Sequence, residues 1–196
     1  MAGPEEILKF WLDEVGPEGW YAVSEDLDQE IRDKFLDTWK DAQEGSFAQW
    51  LTYPSGALAY IILNDQLSRN MFRGTSKAFS SDRAALSAAK AAIHQKWDLK
   101  IDEPARQFFY LPLMHSENLC DQERCVRMML ERMPETGPSN MLHAKAHREV
   151  IRLFGRFPYR NDALARSYTG PEKEYIDLGG YGYTVQQLQK VHQAAA

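Results

Sequence analysis

Two charged residues stand where the sequence predicts the buried face of a helix. The stretch ALAYIILNDQLSRNMF, residues 57–72, opens with apolar residues. At about 100° per residue, Asp65 and Arg69 fall within the stripe of Leu58 and Ile62. Residues four apart on a helix can pair, and an unpaired buried charge is strongly unfavourable. The pattern therefore predicts either a buried Asp65–Arg69 ion pair that fixes helix register or a polar pocket.

A second candidate stretch is FFYLPLMHSE, residues 108–117. Its apolar run predicts a helix buried all round and kinked at Pro112, which lacks the N–H of a helical donor. His115 and Glu117 follow the run and could serve as acid, base or hydrogen-bonding groups. A histidine at the end of a buried helix is more often a hydrogen-bonded core residue. Tyr110 is predicted to pack with its hydroxyl satisfied by a neighbour.

Two histidines lie four residues apart in HAKAHREVIRLFGRFPYRN, residues 143–161. His143 and His147 fall at the margin of the core stripe, and this spacing can hold a metal ion on a helix. Zinc proteases carry Glu after the first histidine, whereas this chain has Ala144. A metal would need Glu117 or Asp65 as a third ligand. The local excess of basic residues favours an anion, so we predict neither a metal site nor a cofactor.

An Arg-x-x-aromatic-Arg element occurs twice, from Arg69 to Arg73 and from Arg156 to Arg160. Arginine near a helix C-terminus is favourable through the helix dipole alone, so helix capping is one interpretation. In the other, the two elements face each other and surround a cavity with cations. Asp65 and Glu117 would then neutralise some of them, and a small anion or an acidic peptide would complete the site.

The elements that must position these residues are helices. Leu27, Ile31, Phe35 and Trp39 recur every four residues, and nearly every other periodic segment has the same helical spacing. About nine helices joined by short loops predict an all-α fold and a single domain over residues 1–196. The predicted helices cover residues 4–15, 24–42, 46–51, 55–70, 81–97, 102–117, 119–133, 139–155, 161–168, 169–178 and 184–192, of which 46–51 and 169–178 are short.

Composition excludes several classes of partner. The chain has a net charge of −5, and residues 1–44 are the most acidic part, so we expect no nucleic-acid partner. No apolar run approaches the roughly 18 residues of a membrane span. The acidic start does not resemble a signal peptide. Cys120 and Cys125 are spaced for neither a disulfide nor a zinc clip, so we expect a reduced, soluble, cytoplasmic protein.

The motifs DQLSRNMFRG, AFSSD, FFYLPLMHSE, HREVIRLFGRFPYRN and TGPEKEYI occur in this order over nearly the whole chain. Together they resemble the bacterial family known as domain of unknown function 924. The resemblance implies an all-helical fold related to tetratricopeptide-like stacks, with no established activity. Tyr159 stands where the family often has His, which weakens metal or acid-base chemistry near Arg160. The polar motif positions of the family fall on Asp65, Gln66, Arg69, Asn70, Arg73, His115, Ser116, Glu117, His147, Arg156, Arg160 and Asn161.

Two functional interpretations and one structural interpretation follow. In the first, which we favour, the chain is a binding module for a small anion or an acidic peptide. In the second, it is a hydrolase-like or other acid-base enzyme in which His115 or His147 works with Glu117 or Asp65. The third is a purely structural buried polar network. The candidate ligand-binding residues are Asp65, Arg69, Asn70, Arg73, Tyr110, His115, Glu117, His147, Arg156, Arg160 and Asn161.

Overall fold

The computed structural model describes residues 1–194, which form nine α-helices and no β-strand. The predicted all-α fold class is confirmed. Helix α1 covers Pro4–Leu8 and is followed by a π-helical segment, Lys9–Val15, and an α-helical turn, Gly16–Gly19. Helix α3 covers Pro54–Ile61 and is continued by a π-helical segment, Ile62–Leu67, and an α-helical turn, Ser68–Met71. The other helices are α2 (Glu25–Gln43), α4 (Asp82–His94), α5 (Leu111–Met114), α6 (Leu119–Arg132), α7 (Gly137–Phe154), α8 (Gly170–Asp177) and α9 (Gly180–Ala194). Short 3-10 helices cover Ala48–Thr52, Ser76–Phe79, Asp98–Lys100, Ala105–Phe109 and Pro158–Arg160.

The chain divides into two compact units, unit 1 from residue 1 to 112 and unit 2 from residue 113 onward. The single-domain assignment stays a prediction. None of the helices in the described part of the chain is both long and apolar enough to cross a membrane.

In unit 1, α3 is the central helix and packs against α1, α2 and α4. Pro54 begins it at a position where a missing N–H is tolerated. Residues 56–59 are all buried, which is expected for a helix that is apolar all round. Helix α2 begins at the N-cap Ser24 and buries Ile31, Phe35 and Trp39, as the four-residue spacing predicted.

In unit 2, α7 packs against α6 and α9. The core includes Val150, Ile151, Phe157 and Tyr175. Gly155 adopts φ 68° and ends α7, a left-handed conformation that favours glycine.

Two predicted helices differ from the structure. The segment from Asp102 to Glu117 contains a 3-10 helix followed by α5, not one continuous helix. The helix is interrupted before Pro112, which then lies in the first turn of α5. Residues 107–114 are buried as predicted. Residues 161–168 form turns in which the Arg166 amide donates to the Asn161 carbonyl (2.8 Å).

The C-terminal helix also starts earlier than predicted, at Gly180 rather than Thr184. The capping box predicted for α8 is present. Thr169 Oγ1 accepts from the Glu172 amide (3.4 Å), and Glu172 Oε2 accepts from the Thr169 amide (2.7 Å).

Candidate functional site

The predicted site residues fall in both units. Asp65, Arg69, Asn70, Arg73 and Tyr110 belong to unit 1, and the remaining candidates belong to unit 2. The geometry of each set is therefore described within its own unit.

Asp65 in unit 1 is 1% exposed, as the helical pattern predicted. Its Oδ1 lies 3.9 Å from Arg69 Nη2, and its Oδ2 accepts from Gln66 Nε2 (2.6 Å). Arg69 Nη1 also lies 2.7 Å from Asp82 Oδ1 and donates to the Ala78 carbonyl. The predicted buried ion pair is present, and a second carboxylate from α4 shares the arginine.

The π-helical segment Ile62–Leu67, which contains Asp65, alters the usual pattern of main-chain hydrogen bonds. The Asn64 carbonyl accepts from two hydroxyl groups, Ser68 Oγ (2.8 Å) and Ser81 Oγ (2.6 Å). Ser81 Oγ in turn accepts from Trp39 Nε1 (3.2 Å). The two hydroxyl groups satisfy the Asn64 carbonyl, and together with the Trp39 indole they connect α2, α3 and the start of α4. These contacts favour a structural role for this part of unit 1.

Asn70 and Arg73 both bind Asp28, which the sequence analysis did not single out. Asn70 Nδ2 donates to Asp28 Oδ1 (2.7 Å), while Arg73 donates from Nε to Oδ2 (2.6 Å) and from Nη2 to Oδ1 (2.8 Å). Burial alone raises the pKa of Asp28, but the hydrogen bonds from Arg73 and Asn70 outweigh it and the pKa lies below its ordinary value. The charge of Arg73 is therefore neutralised within unit 1.

Tyr110 is fully buried, and its hydroxyl donates to Asp98 Oδ2 (2.6 Å). Asp98 is also fully buried. The predicted packing role with a satisfied hydroxyl is confirmed.

In unit 2, Glu117 is held by Arg166 rather than by a histidine. Arg166 Nη1 donates to Glu117 Oε2 (2.8 Å) and Nη2 donates to Oε1 (3.0 Å). The Phe157 amide also donates to Oε1 (2.8 Å). Burial raises the pKa of Glu117, but these hydrogen bonds bring it below its ordinary value. Among the described contacts, Glu117 therefore binds Arg166 and the Phe157 amide, and the orientation of a histidine by Glu117 or Asp65 stays a prediction.

Arg166 also fixes the side chain of Asn161. Arg166 Nε donates to Asn161 Oδ1 (3.0 Å), and Arg166 Nη2 donates to the Phe157 carbonyl (3.0 Å). The side chain of Asn161 is fully buried, and its Nδ2 has no hydrogen-bond partner among the described residues. Buried donors without a partner are rare in folded proteins and mark a position that needs an explanation.

His147 makes one hydrogen bond among the described residues, between Nδ1 and the His143 carbonyl (2.9 Å). A carbonyl only accepts, so Nδ1 carries the hydrogen and Nε2 presents a lone pair. The ring centroid lies 6.2 Å from that of His115, 5.5 Å from that of Phe157 and 4.6 Å from that of Tyr181. Burial, together with nearby His115 and Arg160, lowers the pKa of His147 to about 3.

His143 joins the same group of rings through Tyr181. Its Nδ1 lies 2.6 Å from the Tyr181 hydroxyl. Burial raises the pKa of Tyr181 and lowers that of His143, so the hydroxyl donates to a neutral imidazole. Tyr159, which is 38% exposed, lies 6.0 Å from Tyr181 between ring centroids. We call His115, His143, His147, Tyr159 and Tyr181 the imidazole–tyrosine cluster.

The two arginines of the second Arg-x-x-aromatic-Arg element differ. Arg156 binds Glu172 through two parallel hydrogen bonds, whereas the Arg160 guanidinium lies 4.5 Å from the centre of the Phe157 ring and is 7% exposed. The expectation of uncompensated cations is wrong for Arg73 and Arg156, each of which has its own carboxylate. The acidic partners, Asp28 and Glu172, are distant in sequence from these arginines. Of the two, only Glu172 belonged to a sequence pattern, the capping box of α8.

Among the described residues, no group of three His, Cys, Asp or Glu side chains is arranged to hold a metal ion. The imidazole–tyrosine cluster brings together three histidines, but their side chains contact rings and a carbonyl rather than a shared centre. The cluster can therefore accept and donate hydrogen bonds and stack against planar groups.

Comparison with known proteins identifies the family. Residues 7–180 match the family described as "Bacterial protein of unknown function (DUF924)". The solved structure of a protein of unknown function from Agrobacterium tumefaciens has a TM-score of 0.83 and 34% sequence identity, covering 88% of this chain and 96% of that chain. No match was found among curated proteins. The chain belongs to this bacterial family of unknown function, DUF924.

Proposed function

We propose that the protein is a binding module for a small molecule and that the ligand binds at the imidazole–tyrosine cluster of unit 2. The observation that carries the proposal is Nε2 of His147, a hydrogen-bond acceptor that makes no hydrogen bond with a described residue. His147 is only partly buried, and Tyr159 and Tyr181 are also partly exposed beside it. These rings provide surfaces on which a planar ligand can stack.

The low pKa of His147 favours binding over acid-base catalysis. A general base works best when its pKa lies near the working pH. Because its pKa lies well below pH 7, His147 is neutral at that pH. A neutral imidazole of this kind is a hydrogen-bond acceptor more than a base, so we propose ligand recognition as its role.

The proposed preference for an anion does not require a ring of four uncompensated arginines. Arg160 contributes positive potential, since its charge lowers the pKa of both His147 and Glu117. Arg73 and Arg156 are already neutralised by Asp28 and Glu172. This makes a ligand with one or two oxygen acceptors a better proposal than a polyanion or an acidic peptide.

Three assignments from the sequence belong to the same proposal. We place the protein in the cytoplasm, treat residues 1–196 as one domain and expect the helix pairs to stack as in tetratricopeptide-like proteins. The polar network around Asp65 in unit 1 is assigned a structural role, because its carboxylate and hydroxyl groups have partners.

The test is NMR on protein with labelled histidine rings, titrated with small planar aromatic compounds that carry an amide, ketone or carboxylate group. Binding at the cluster should shift the signals of His147, and His147→Phe should remove the response while keeping a ring in place. His94→Phe, at an exposed position at the end of α4, is the matched control and should leave the response intact. If no compound shifts the His147 signals, or if His147→Phe responds like the control, the proposed site is wrong.

A further inference from the structure

We infer that unit 1 contains a second binding site, a cavity of about 310 Å³ lined by residues of α3 and α4, which takes an uncharged aromatic molecule of one or two fused rings. The cavity is a different site from the imidazole–tyrosine cluster, because all of its lining residues belong to unit 1. Its volume lies at the lower end of the range that small-molecule sites occupy in proteins.

Small side chains create the cavity. Ala84, Ala88 and Ala91 recur at intervals of three or four residues along α4, so they lie on one face of that helix. All three line the cavity, and Ala57 lines it from α3, which packs against α4. Alanine extends a single methyl group from the main chain, so space remains that a larger side chain at the same position would fill.

The turn after α4 brings Trp97 to the cavity. Lys96 adopts φ 57°, and its amide donates to the Ile93 carbonyl (3.1 Å) while the Trp97 amide donates to the Ala92 carbonyl (2.9 Å). In this Schellman arrangement the residue after the left-handed one packs back against the last turn of the helix. Trp97 is half-buried and lines the cavity together with the alanines.

The surroundings of the cavity are free of charge. Among the described residues, none of those that line it is acidic or basic. The hydroxyl group of Ser87, which also lines it, donates to the Arg83 carbonyl of its own helix (2.9 Å). Burial raises the pKa of Tyr60, and no neighbouring charge contributes to that shift. A charged ligand would lose its hydration here without gaining an ion pair, so the ligand is uncharged.

The volume and the aromatic side chains set the size and type of the ligand. An apolar cavity of about 150 Å³ can hold benzene, so a cavity of about 310 Å³ has room for two fused rings. Tyr60 and Trp97 supply aromatic rings to the lining, and contacts between rings add to the gain from burying apolar area. Leu51, Ser87 and Ala91 are exposed, so the cavity opens to solvent and a ligand can enter it.

The probe is indole, which is uncharged and has two fused rings. We expect indole to bind the full chain with a Kd of about 1 mM or lower. Indole-3-carboxylate has the same rings with a charge and should bind at least about tenfold more weakly. Phenol and cyclohexanol share their size and their hydroxyl group, but only phenol is aromatic, so phenol should bind about threefold or more tightly. NMR of protein with labelled alanine methyl groups measures each affinity and locates the site, because a bound ring shifts the nearby methyl signals.

Two variants assign the binding to the cavity. Ala84→Leu and Ala91→Leu each add a larger apolar side chain to the lining, so each should weaken indole by about tenfold or more without lowering the melting temperature. Ala22→Leu makes the same substitution at an exposed position that does not line the cavity. This control should bind indole like the wild type.

Each result has a definite meaning. If Ala84→Leu and Ala91→Leu, folded by circular dichroism, bind indole as Ala22→Leu does, the cavity is not a binding site; if one of them does not fold, the other decides. Equal affinities within either pair of compounds would overturn the assigned ligand class. A wild-type dimer that these two substitutions dissociate in sedimentation would mean that a second copy of this chain covers the alanines instead. Indole that shifts the His147 signals but no alanine methyl signal would overturn the cavity site and leave the proposed function intact.

Discussion

Arg156 and Glu172 form a bidentate ion pair. Arg156 Nε donates to Glu172 Oε1 (2.6 Å) and Nη2 donates to Oε2 (2.8 Å). The same carboxylate accepts from the Thr169 amide and completes the N-terminal capping box of α8. Because Glu172 is 2% exposed, its charge depends on this partner, and the pair connects the segment after α7 to the start of α8.

We expect Arg156→Ala to destabilise the protein by about 3 kcal/mol, because it leaves a buried carboxylate without its cation. Urea unfolding followed by circular dichroism measures the change. Arg152→Ala is the matched control, since Arg152 pairs with Glu123 and Glu149 at an exposed surface and should cost about 1 kcal/mol or less. Equal effects of the two substitutions would mean that the Glu172 pair contributes no more than a surface pair.

The second prediction concerns Asp65. Asp65→Ala removes the oxygens that face Arg69 and Gln66 and should destabilise the protein by about 3 kcal/mol, even though Asp82 remains as a second partner of Arg69. Thermal and urea unfolding test this. Asp37→Ala, at a side chain that is 88% exposed, should change stability by about 0.5 kcal/mol or less. A melting midpoint unchanged by Asp65→Ala would contradict the assigned structural role.

The third prediction concerns the main-chain acceptor in the π-helical segment. Ser81→Ala should cost about 1–2 kcal/mol, because it removes a hydrogen bond to the Asn64 carbonyl and leaves the Trp39 indole N–H without its acceptor. Ser68→Ala alone should cost about 1 kcal/mol. The double variant removes both hydroxyl donors and should cost more than the sum of the single changes. Strict additivity in urea unfolding would show that the two hydroxyls act independently.

Local spacing was enough to predict most helices and one ion pair. The four-residue repeat gave α2, and the same spacing brought Asp65 to Arg69. It failed for residues 161–168, where a turn is fixed by Arg166 through contacts with Glu117 and Phe157. Contacts between residues so far apart in the chain leave no periodic signal.

The same limit applies to the candidate site. His115, Glu117, His147, Arg160 and Asn161 were identified from their types and motifs, and all lie in unit 2. Their roles followed from partners that the sequence did not identify. Glu117 binds Arg166. Glu172 neutralises the charge of Arg156, which was expected to contribute to the anion site. A charged residue can be recognised from the sequence, but its neutralisation depends on the tertiary fold.

The last prediction is the pH dependence of His147. Its folded pKa, about 3, lies below the ordinary value of 6.5, so the unfolded chain binds a proton that the folded chain excludes. Stability from this group is therefore fully present above about pH 6.5 and falls as the pH decreases toward 3. His147→Phe should flatten the loss of stability between pH 6.5 and 5.5, where ordinary carboxylates remain mostly ionised. Urea unfolding of the variant at each pH, compared with the wild type and with His94→Phe, measures how steeply stability depends on pH.

Between the same pH limits, NMR should show the folded His147 ring neutral, with its one hydrogen on Nδ1. A ring that gains a proton near pH 6 would contradict both the neutral imidazole and its proposed role as an acceptor.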